Sequence, residues 1–82
     1  MRIVAEIPHP QIKITIFLWN AKFILKLEAG PFEQVYKIAE EEVEGNVEKV
    51  KAMVTTEFIE QCKQRFLVMR TDFNKTIQQL QP

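Results

Sequence analysis

The residues of this chain whose types could do chemistry are His9, Cys62 and the carboxylates Glu40, Glu41, Glu42 and Glu44. A histidine can act as a general base or a metal ligand, but it needs a nucleophile or an orienting carboxylate within reach. His9 stands between Pro8 and Pro10 with no Asp, Cys or Ser close in sequence, so it reads as a solvated turn residue. A nucleophilic thiol needs an electropositive, partly exposed setting. Cys62 instead lies between Phe58 and Phe66 in an apolar helical stripe, which turns the sulfur inward despite nearby Lys63 and Arg65. The four glutamates match no calcium-loop spacing, and adjacent carboxylates splay rather than converge. They read as acidic residues placed before a helix N-terminus.

Other chemistries fail on count. The only glycines are Gly30 and Gly45, too few for a phosphate-cradling loop. One histidine and one cysteine cannot close a structural zinc site, and a single cysteine cannot form an internal disulfide. No Ser–His–Asp arrangement is present. The reading is therefore of a non-enzyme with no catalytic, metal-binding or cofactor-binding residue.

The elements that carry these residues fit one domain spanning 1–82. Eleven basic and eleven acidic residues cancel, which argues against a polybasic nucleic-acid binder and against an acidic tail. No apolar run reaches the length of a membrane span. The apolar start is cut by Glu6 and Pro8, unlike a signal peptide, so a cytoplasmic protein is expected.

Residues 2–39 alternate as strands do. Ile12, Ile14, Ile16 and Leu18 share one face, with Lys13, Thr15, Phe17 and Trp19 on the other. Asn20-Ala21 marks a tight turn, although alanine is a poor second residue for it. Lys22–Glu28 follows with Phe23, Leu25 and Leu27 in phase, then Gly30-Pro31 as a second turn, then Phe32–Ala39. This is a three-stranded antiparallel meander, or a four-stranded one if Arg2–Ile7 forms its own edge strand ahead of Pro8 and Pro10.

The second half is helical. Phe58, Ile59, Cys62, Phe66, Met69, Phe73, Ile77 and Leu80 fall within about a 100° arc, whereas Val47, Val50 and Val54 centre roughly 100° away from it. One straight helix cannot aim both stripes at one surface. The spacing predicts a short helix near 46–54 capped by Asn46, a break at Thr55-Thr56, and a long helix near 57–79. The fold class is α+β, with both helices on one sheet face.

Three segments, Met1–Pro10, Lys13–Asn20 and Glu57–Glu60, resemble a family of small uncharacterised bacterial proteins. The resemblance covers most of the chain. It implies a bacterial, non-secreted, stand-alone domain and attaches no activity to any residue.

Two features exceed what a plain monomer needs. One helical layer leaves the second sheet face bare, with Phe17, Trp19, Ile24 and Val35 among Lys13, Lys22, Lys26 and Lys37. Such a patch suits a protein partner. Alternatively, Phe17, Trp19, Lys13, Lys22 and Lys26 suit single-stranded nucleic acid, with bases on rings and ammoniums near phosphates. The long helix also outruns any of the strands, leaving Phe73, Ile77 and Leu80 without cover, and Leu67 and Val68 lie on its back. A homodimer using these five residues is the expectation.

Overall fold

A computed structural model describes residues 1–81. Four strands, β1 (Arg2–Ile7), β2 (Lys13–Trp19), β3 (Lys22–Ala29) and β4 (Phe32–Ala39), form one antiparallel sheet in the order β1-β2-β3-β4. A single 3-10 turn, Glu40–Val43, leads to helix α1 (Val47–Met53) and helix α2 (Thr56–Gln79). The fourth strand settles the alternative left open at the N-terminus. Arg2–Ile7 is a separate edge strand, bulged between Ile3 and Ala5, and Pro8 and Pro10 end its pairing.

Turn chemistry sets the register. Asn20 and Ala21 both have positive φ, 55° and 60°, so the β2–β3 turn has the left-handed pair of a type I′ hairpin. Asparagine tolerates that conformation, while alanine accepts it at a cost of about 1 kcal/mol. Gly30 at φ 60° followed by Pro31 gives the β3–β4 turn the sign pattern of type II′. The pairs Trp19–Lys22 and Ala29–Phe32 close the two hairpins directly. All of Ile14, Ile16, Phe23, Leu25 and Leu27 then fall on one face and are buried.

The helices break where the phase changes. Asn46 caps α1 by accepting the amide of Glu48, and Thr55 caps α2 by accepting the amide of Phe58 at 3.1 Å. Each helix then aims its own stripe at the sheet. The α1 residue Val50 is fully buried where α1 meets β1 and β3, while Cys62 and Phe66 of α2 are buried where α2 runs over β4. Phe58 and Met69 pack at the margin of the same core. Glu41, Glu42 and Glu44 of the glutamate run are exposed, as expected; the run is wound into the 3-10 turn, from which Val43 plugs the core. Glu44 leaves that turn in the left-handed conformation and pairs with Lys49.

No helix among the described residues is long and apolar enough to cross a membrane. Phe66 is the largest side chain that α2 commits to the core. Phe66→Ala is expected to cost about 3–5 kcal/mol, most of the stability of a domain this small. Urea unfolding followed by circular dichroism measures it; a midpoint close to the parent's would mean that α2 presents a different face.

Candidate functional site

The structure brings together a polar group that residue spacing does not reveal. Gln34 and Tyr36 point from β4 toward α2 because residues 32, 34, 36 and 38 share the helix-facing side. There the Gln34 Nε2 donates to the backbone carbonyl of Cys62 at 2.8 Å, and the Tyr36 hydroxyl donates to Gln34 Oε1 at 3.0 Å. The Cys62 thiol is fully buried, 3.9 Å from the Tyr36 hydroxyl and 3.5 Å from Arg65 Nη1. Arg65 also reaches Gln34 Oε1 at 3.5 Å. Phe58 closes the group with an edge-on contact to the Tyr36 ring, centroids 5.4 Å apart.

Chemically this is a clamp. The thiol has no path to solvent, and the guanidinium beside it is shared with the Gln34 amide. Burial pushes the Tyr36 phenol above its ordinary value of 10.0, the Cys62 thiol adds to the rise, and the Arg65 charge opposes it. The group ties the N-terminal half of α2 to the middle of β4, and so fixes where the rest of α2 extends.

His9 is not the solvated side chain expected from its sequence. Its Nδ1 accepts the amides of Gln11 at 3.1 Å and Ile12 at 3.2 Å, and the half-buried ring so holds the β1–β2 turn by satisfying two backbone donors. A ring nitrogen occupied in this way is not free to take a proton from a substrate. No three of His, Cys, Asp and Glu converge among the described residues.

The bare sheet face carries Lys13, Phe17, Trp19, Lys22 and Lys26 together, as alternation requires. Its centre is less open than the pattern suggests. Thr15 is 2% exposed and Ile24 6% exposed, although no helix covers them. Lys26 shields this centre. Its ammonium lies 6.0 Å from the Phe17 ring centroid and pairs with Glu28 at 3.6 Å and Glu33 at 3.5 Å. Trp19, 52% exposed, and Val35 remain open. The Thr15 hydroxyl is buried there with no hydrogen-bond partner among the described residues.

The third surface is the α2 tail. From Arg70 onward every described residue is exposed, including Phe73, Ile77 and Leu80, and Leu67 and Val68 are exposed on the flanks. One expectation is corrected: Phe73 has an intrachain partner, the ring of Phe32 at the start of β4, edge-on with centroids 5.8 Å apart. Leu80, 81% exposed, has no such cover.

No family model, curated protein or solved structure matches this chain.

The clamp makes a prediction for pH. A phenol raised in the folded state favours that state below its unfolded value near 10, and the advantage fades as pH climbs through the folded value. Tyr36 is the only tyrosine, so absorbance at tyrosinate wavelengths reports it alone. The midpoint is expected above 10 in the folded protein, falling to about 10 in denaturing urea. Equal midpoints would place the Tyr36 hydroxyl outside the clamp.

Proposed function

We propose that the protein is a small, non-catalytic interaction module that works as a homodimer. The observation that carries this is surface left uncovered. The chain exposes 5884 Å², whereas a compact monomer of 9.7 kDa exposes roughly 5,100 Å². The excess, roughly 750 Å², is close to what one partner contributes to a standard interface, about 800 Å². The shape agrees with this. The radius of gyration is 15.0 Å against about 12 Å for a compact chain of this length, and the long axis is 53 Å.

The source of the excess is α2. Its 24 residues span about 36 Å, and β4's eight about 27 Å. Because Phe58 already lies over Tyr36, α2 has used much of the strand before Phe73 reaches Phe32. Ile77 and Leu80 then project past the sheet. Each large apolar side chain left in water forgoes roughly 1.5–3 kcal/mol, which a second copy recovers twice by symmetry.

Light scattering at tens of micromolar should give the mass of two chains. Phe73→Asp with Ile77→Lys should give a folded single chain, read from the same instrument with circular dichroism as the control. A parent mass of one chain, with α2 still helical, would sink the dimer reading.

A second reading has one observation in its favour, the exposed indole of Trp19 beside Lys22, which has no ion pair among the described residues, on the bare face. Against it, Lys26 is already held by two glutamates. If single-stranded nucleic acid binds there, Trp19 emission should change on titration with an oligonucleotide at low salt. The affinity should then fall steeply as salt rises. An unchanged emission at high micromolar strand eliminates this reading.

A further inference from the structure

We infer that β4 is the edge through which two copies of the chain join, running antiparallel about a two-fold axis at Val35. This rests on the homodimer reading above and supplies its partner surface and register.

The two edges of the sheet are unlike. β1 has six residues, is bulged between Ile3 and Ala5, and runs into Pro8 and Pro10. These are devices that blunt an edge against pairing. β4 has eight residues in unbroken register with β3 and no proline. Its closing hairpin decides which groups are free. The two-residue turn makes Ala29–Phe32 a hydrogen-bonded pair, so Phe32, Gln34, Tyr36 and Ile38 direct their backbone groups to β3. Those of Glu33, Val35 and Lys37 point outward. All three residues are exposed, and among the described residues these groups make no backbone hydrogen bond beyond the sheet.

The same three residues carry a self-complementary pattern: negative, apolar, positive. An antiparallel copy with Val35 opposite Val35 sets Glu33 opposite Lys37 twice, once on each side of the axis. The outward backbone groups then meet in hydrogen-bonded pairs, because the facing residues have the same parity. Centring instead on Glu33 or Lys37 puts two like charges on the axis, and centring on Gln34 or Tyr36 leaves the charges opposite valine. Lys37 has no ion pair within its own chain among the described residues, and Val35 is 46% exposed.

Two further features bear on this partner. A groove lined by Gln34, Gln64, Arg65, Val68 and Met69 runs between β4 and α2 along the same edge. The register also sets Phe32 opposite Ile38. Since α2 leaves its own sheet past Phe32, its tail heads toward the end of the partner's β4.

Sedimentation of the full chain at low salt tests the register. Lys37→Glu should raise the dimer dissociation constant about tenfold or more, since it sets like charges opposite each other at two places. Adding Glu33→Lys to that variant should restore at least part of the lost affinity, because the pattern is then reversed but still complementary, although the pair of Glu33 with Lys26 of its own chain is given up. A charge-neutral variant reads the same register. Val35→Cys should form an interchain disulfide under mild oxidation, its Cα atoms being about 5.5 Å apart, whereas Lys37→Cys, roughly 15 Å from its mate, should not. The native Cys62 is fully buried and does not compete.

A parent dimer indifferent to Lys37→Glu, or one not rescued by the double reversal, overturns the edge proposal. If Phe73→Asp with Ile77→Lys still dissociates that dimer, the homodimer reading stands on the α2 tail alone. A parent of one chain overturns both.

Discussion

Two apolar stripes about 100° apart can face one sheet only if the helix bearing them is cut between them. The cut falls at Thr55, whose hydroxyl accepts the amide of Phe58 and begins α2 afresh. Val50 can then sit over β1 and β3 while Cys62 and Phe66 sit over β4. If the helix ran on unbroken, one stripe would turn to water and half the sheet would lose its cover. The position of the cut also sets where α2 starts over β4, hence how far it runs beyond Phe32.

A second constraint follows from layer count. Four strands present two faces, and the two helices cover only one. The other face is handled without a helix. Lys26 lies across it, its ammonium near the Phe17 ring and between Glu28 and Glu33, while Ile24 and Thr15 are enclosed beneath. A long cationic side chain acts here as a lid for apolar neighbours. That leaves Trp19, Val35 and Ile3 at the periphery as open apolar groups of this face, the first beside the β2–β3 turn and the other two on the edge strands.

What the sequence discloses is what is local. Alternation along Lys13–Trp19, Lys22–Ala29 and Phe32–Ala39 gives the strands, and the phase offset between Val50 and Phe66 gives the helix break with its Asn46 and Thr55 caps. The contacts that sequence does not disclose join distant positions. The Gln34 amide and the Cys62 carbonyl are 28 residues apart, and no periodicity predicts that a glutamine in an apolar phase will bond a helix from below. Phe73 meets Phe32 for the same reason, as a product of where α2 crosses β4. Two local features also escape a reading by residue type. The His9 ring accepts two backbone amides just past the second proline, and Glu44 adopts a conformation more usual for glycine. The candidate interaction surfaces divide likewise: the tail was visible from helix length, whereas the charge pattern of β4 gains meaning only once β4 is known to be an edge.

The bulge between Ile3 and Ala5 has a consequence for how large an assembly can grow. A sheet with two receptive edges polymerises, each added copy offering a fresh end, and the product is a fibre. Here the far edge is bent at the bulge and then halted by Pro8 and Pro10, so it terminates a growing sheet. Pairing of like edges about a two-fold axis uses both receptive edges at once and buries them against each other. Growth would stop at eight strands, with β1 at each end as a dead stop. The irregularity in the first strand, which contributes little to the core, is in this sense a chain terminator.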